Sequence, residues 1–118
     1  MYSYSKRSAE NLNTCDPDLI RLFIEVIKHF DHTITDGHRS EEEQNKAYED
    51  RRSKFKWPDS KHNKYPSRAV DATPYPIDYD DRERQKLFRG YVYGIASQMG
   101  IKLNKTIQWD LPHFELRG

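Results

Sequence analysis

Apolar positions along the chain fall into a few short, punctuated runs. Leu19, Ile20, Leu22, Phe23, Val26, Ile27 and Phe30 recur at the three- and four-residue spacing of a helix that turns one face to a core. Asp16-Pro17, just ahead of them, offers an N-cap carboxylate and a proline suited to the first helical position. A helix is therefore predicted from there to about His29–Asp31. Residues 1–13 are mostly polar and read as a lead-in. Thr33-Ile34-Thr35 is a short β-like run, and Asp36-Gly37 turns the chain. Ser40 followed three residues later by Glu43 is a capping-box pattern, which predicts a second helix from Glu41 to Arg52 with Ala47 and Tyr48 inward.

Residues 53–68 are rich in Lys, Pro, Ser, Asn and Tyr and read as loop. Arg68-Ala69-Val70-Asp71-Ala72 fits a short strand, with Ala69 and Asp71 on one face and Val70 on the other. Thr73 to Tyr79 holds Pro74 and Pro76 and is expected to be loop. Asp80 with Glu83 marks the start of a third helix from about Asp81 to Met99, which Gly100 is placed to end. Ile101-Lys102-Leu103, Ile107-Gln108-Trp109 and His113 to Leu116 have strand character. The fold class this predicts is α+β, about three helices packed on a small antiparallel sheet.

A length of 118 residues suits one domain spanning 1–118. The chain is 35% hydrophobic, 33% charged and 13% aromatic, too aromatic for a disordered tail. Its formal net charge of +1 argues against a nucleic-acid binder and gives no attraction to an anionic membrane. No apolar run reaches membrane-spanning length, and the first ten residues show no apolar core of a secretory signal. The expectation is a protein made in the cytoplasm without membrane insertion; if it acts outside, another agent must release it. The single Cys15 cannot form an internal disulfide.

The candidate chemistry lies in His62, Asp71 and His113. Two neutral imidazoles and a carboxylate are a good zinc ligand set that leaves a fourth position open, as catalytic sites do. His62 follows Ser60-Lys61 in an irregular loop, and Asp71 sits in an apolar strand, where an inward carboxylate is costly unless paired or metal-bound. Asp110 precedes His113 by three residues, and metal-assisted hydrolysis needs such a carboxylate near the metal to take a proton from water. His29 and His32 are a possible second metal pair or ordinary helix-end histidines. The run Arg51-Arg52-Ser53-Lys54-Phe55-Lys56-Trp57 is either a grip for anionic polymer or a solvated loop flank.

Three ordered motifs give the chain a wider likeness: Gly37-His38-Arg39-Ser40 with Gln44, Ser60-Lys61-His62 followed by Ser67-Arg68-Ala69-Val70-Asp71, and Trp109-Asp110-Leu111-Pro112-His113. With these motifs the sequence resembles the zinc D,D-carboxypeptidases and L-alanyl-D-glutamate endopeptidases of bacteria and their phages, the LAS or VanY-type peptidases. It departs from them at Ser67, where a glycine is usual, at His38, where an aromatic ring is common, and in the nine-residue step from His62 to Asp71, which is longer than usual. The resemblance implies a zinc site of His62, Asp71 and His113 in a cleft, Asp110 as general base, and Arg39 stabilising charge on the scissile carbonyl oxygen. It places Ser60 at the margin, orienting a ligand or touching substrate, and leaves Gln44 as either a support behind the site or an exposed helix residue. It implies a monomeric hydrolase of peptidoglycan stem peptides. The short chain fits an L-alanyl-D-glutamate endopeptidase of the phage endolysin kind better than a D-Ala-D-Ala carboxypeptidase. A non-catalytic wall-peptide-binding module with a retained metal is the rival from another class, against which the presence of Asp110 and Arg39 speaks.

Overall fold

A computed structural model describes residues 2–105 and 110–118. Its elements in chain order are α1 (Lys6–Asn13), α2 (Pro17–Ile27), β1 (His32–Asp36), α3 (Glu41–Glu49), a single 3-10 turn (Lys61–Asn63), β2 (Ala69–Pro74), α4 (Arg82–Met99) and β3 (His113–Glu115). The strands form one antiparallel sheet in the order β1-β2-β3. The class is α+β, as expected.

Strand alternation gives this sheet two unlike faces. Ile34, Val70, Ala72 and Phe114 join a dry core with Leu19, Leu22, Phe23 and Val26 of α2 and Phe88, Val92 and Ala96 of α4. Asp71, His113 and Glu115 belong to the alternate positions and point the other way, into a cleft. The hydrophobic effect thus fixes the sheet from one side and leaves the other for chemistry.

The helix ends follow local rules. Asp16 accepts from the Asp18 N–H with Pro17 behind it, Ser40 and Glu43 close a reciprocal capping box, and Gly100 ends α4 at a φ of 70°. Several expectations differ in extent. The cap of α4 is Asp81 rather than Asp80. Helix α3 stops at Glu49, and Tyr48 is 40% exposed while Gln44 and Ala47 turn inward. Thr73 and Pro74 lie in β2, opposite Thr33 and His32, because a strand's terminal position tolerates proline. Leu103 makes only an isolated bridge, to Leu116. The strand expected at Ile107-Gln108-Trp109 lies outside the described residues.

The largest difference is at the chain start, where the polar lead-in contains α1, capped by Ser5. Its inner face buries Leu12, but what fastens it is polar: Ser8 Oγ accepts from the Ile34 N–H at 3.1 Å and Asn11 Nδ2 donates to Ile34 O at 2.9 Å. The helix thereby satisfies backbone groups of β1, an edge strand that would otherwise present them unpaired.

Candidate metal centre

Asp71 sits on the central strand β2 and His113 opposite it on β3, as a paired register position. His62 comes from the 3-10 turn, whose start is fixed by Ser60: its Oγ accepts from the His62 N–H at 3.2 Å, while its own N–H donates to Asn63 Oδ1 at 3.0 Å. Ser60 therefore shapes the loop that presents His62. A backbone bond from Arg39 N–H to His62 O, 2.8 Å, ties this turn to the segment after β1.

The three side chains converge on one point. His62 Nε2, His113 Nδ1 and Asp71 Oδ1 form a nearly equilateral triangle with edges of 3.3 Å between the imidazoles and 3.2 Å from each to the carboxylate. Three donors held tetrahedrally at the usual zinc bond lengths lie roughly 3.3 Å apart, so the spacing fits that ion. The outward ring nitrogens settle the tautomers. His62 Nδ1 lies 2.7 Å from Gly37 O and His113 Nε2 lies 2.8 Å from Glu115 Oε1. Both of those oxygens accept, so both outward nitrogens carry hydrogen, and the two inward nitrogens face the Asp71 carboxylate as positions for a metal ion or, without one, for a shared proton. Orientation of metal-binding histidines by a carbonyl and a carboxylate is the usual supporting arrangement.

The electrostatics agree. Burial alone would raise Asp71, but the His62 charge and hydrogen bonds from His113 and His62 outweigh it and hold the carboxyl well below its ordinary range. Burial would lower His113, yet its bonds to Asp71 and Glu115 raise it to about 9. The bond from His113 brings Glu115 down to about 2. A site that concentrates negative charge and holds protons this tightly is one a divalent metal can enter by displacing them.

Arg39 is 8% exposed and lines the same cleft. Its Nη2 donates to Asp71 Oδ2 at 3.0 Å, its Nε to Asp36 Oδ2 and its Nη1 to Gln44 Oε1 at 3.4 Å. Gln44 is fully buried at the centre of this support. Asp110 also lines the cleft, and burial, with the nearby Asp71 charge, raises its pKa. His29 and His32 do not pair: His32 is buried between Tyr4 and the Phe30 carbonyl.

Sequence reasoning missed three supporting side chains. Glu115 was within reach of inference, since it stands two residues from His113 on a strand and so shares its face. Asp36 follows a β-bulge after Ile34 that no local pattern announces. Arg89, on α4, donates through Nη1 to Leu111 O and His113 O, both at 2.7 Å, and packs over Phe114. It braces the turn between Asp110 and His113 from 20-odd residues away in sequence.

A model of the family described as phage L-alanyl-D-glutamate peptidase matches residues 1–114. The crystal structure of the Serratia marcescens L-Ala D-Glu endopeptidase ChiX superposes with a TM-score of 0.78 at 25% identity, covering 97% of this chain and 89% of that one. No curated protein matches the sequence at a significant level.

Proposed function

The chain belongs to the phage L-alanyl-D-glutamate peptidase family, and we propose that it hydrolyses the L-alanyl-D-glutamate bond of peptidoglycan stem peptides with a zinc ion held by His62, Asp71 and His113. The observation that carries this reading is the triangle of potential ligand atoms at 3.2 to 3.3 Å, oriented from behind by Gly37 O and Glu115. When bound, the ion would polarise the scissile carbonyl and acidify water. Asp110 is the general base: a carboxylate whose pKa burial has raised accepts the proton of the attacking water and returns it to the leaving amine as the carbon–nitrogen bond breaks. Arg39, which lines the cleft, keeps Asp71 in place, and its guanidinium meets the carbonyl oxygen as negative charge develops there. Ser60 and Gln44 act through others, on the His62 turn and on Arg39 respectively.

The test is digestion of purified peptidoglycan with and without chelator, with new ends identified by mass spectrometry. New amino-terminal D-glutamate that disappears on chelation and returns with zinc is the expected result. Free D-alanine instead would move the activity to the carboxypeptidase bond. An absence of new ends from folded, zinc-loaded protein would favour a wall-peptide-binding module.

A further inference from the structure

The basic, aromatic run at 51–57 has a definite place in the fold. Arg52, Ser53, Lys54 and Phe55 line the cleft of about 240 Å³ that also contains His62, Asp71, Asp110 and His113. This wall is not a loosely solvated loop. Gln44 Nε2 donates to Ser53 Oγ at 2.9 Å and to Phe55 O at 2.7 Å. Its Oε1 accepts from Asn63 Nδ2 at 3.1 Å and from Arg39 Nη1 at 3.4 Å. All four hydrogen-bonding positions of one buried amide are thereby filled, and they join the wall to Arg39 and to the turn carrying His62. Ser53 Oγ also accepts from the Phe55 N–H at 3.1 Å, and Asn45 Oδ1 accepts from the Trp57 N–H at 3.2 Å. So fixed, the wall still leaves Phe55, which lines the cleft, 52% exposed.

We propose that Arg52, Lys54 and Phe55 form a subsite for the free carboxylate of the glutamyl residue beside the scissile bond, an inference that rests on the endopeptidase reading. Glutamate has two carboxyl groups and only one continues the chain, so an anionic group lies within one residue of the reacting amide. Arg52 and Lys54 supply the complementary charge, in a cleft whose lining also carries the acids Asp59, Asp71, Asp110 and Glu115, and Phe55 supplies an apolar surface for the methylenes between. The ion pair of Arg52 with Asp50 is 3.6 Å long with both side chains about half exposed, so a substrate carboxylate can compete for the guanidinium. Lys61, on the same wall, is committed elsewhere, to Leu116 O at 2.8 Å and Glu115 at 3.4 Å.

The experiment compares two peptides that differ only in that group, a free carboxylate in one and its carboxamide in the other, using zinc-loaded protein. The wild type is expected to favour the carboxylate by about tenfold in kcat/KM, expressed in KM, the size of one charge-assisted contact. In the double variant Arg52→Gln/Lys54→Gln the ratio falls toward one; both positions are exposed, so the fold and zinc content are checked by melting and metal analysis. A wild-type ratio near one, or a double variant that keeps the wild-type ratio, overturns the subsite while leaving the endopeptidase reading intact. Failure to cut either peptide at the alanyl–glutamyl bond overturns both.

Discussion

Gly37→Ala links the start of the chain to the metal centre. A Cβ built on Gly37 would stand 2.3 Å from Asn11 O and 2.4 Å from Thr14 Oγ1. The first of these is backbone at the end of α1 and cannot swing aside, and carbon contacts below 3.0 Å essentially do not occur, so the two segments must part by about 0.7 Å. Thr14 Oγ1 also accepts from the His38 N–H at 2.8 Å, so the displacement reaches the residue before Arg39. Overpacking of this kind costs about 1–3 kcal/mol, which lowers the melting temperature of a domain this size by roughly 5–15 °C. A second effect is specific to the site. Gly37 O holds His62 Nδ1 at 2.7 Å, and a retreat of comparable size stretches that bond beyond the normal range. Loss of such an orienting contact weakens metal binding by about 10- to 100-fold. Thermal unfolding of metal-free protein reads the first effect and a zinc titration the second. A variant that melts as wild type refutes the packing argument. One that melts lower yet binds zinc with wild-type affinity refutes the link from α1 through Gly37 to His62.

Asp110→Asn should leave zinc affinity near wild type while kcat falls by about 10²–10⁴; wild-type turnover on a stem peptide would remove Asp110 from the role of base. Glu115→Ala should weaken zinc binding by about 10- to 100-fold, because His113 Nε2 loses its partner at 2.8 Å; unchanged affinity by calorimetry would count against that role. Burial lowers His32 to about 4 from an ordinary 6.5, despite its bond to the Phe30 carbonyl. The unfolded chain therefore takes up a proton there that the folded chain refuses. The resulting stability is complete above about pH 6.5 and is lost as pH falls toward 4, by about 3 kcal/mol. Denaturant titrations across that window should show a clearly shallower fall for His32→Gln; an equal fall would assign the loss to other groups.

What the sequence made legible was what local chemistry dictates. The caps at Asp16, at Ser40 with Glu43 and at Gly100 each follow from the local chemistry of one or two residues, and the face of α2 follows from six apolar positions at helical spacing, Leu19 to Ile27. His62, Asp71, Asp110, His113 and Arg39 stood out as candidates by residue type and ordered motif, and the fold gathers them round one cleft. What escaped depends on distant partners. Helix α1 has too few apolar residues to declare itself, since Ser8 and Asn11 earn their place by bonding to Ile34. On α3 Ala47 is inward as expected, but Tyr48 is not, and Gln44 is buried because four partners from three other segments satisfy its amide. Arg89 reaches the Asp110–His113 turn only through the tertiary packing of α4 on the sheet.

Zinc dependence at His62, Asp71 and His113 is tested by a stepwise zinc titration of metal-free protein, following bound metal and newly released amino-terminal D-glutamate in the same samples. Hydrolysis is expected to rise in proportion to occupancy, to reach its plateau at one ion per chain, and to be abolished with the binding in His113→Ala. Hydrolysis that proceeds undiminished in metal-free protein, or zinc that binds at full affinity in His113→Ala, would contradict this zinc dependence.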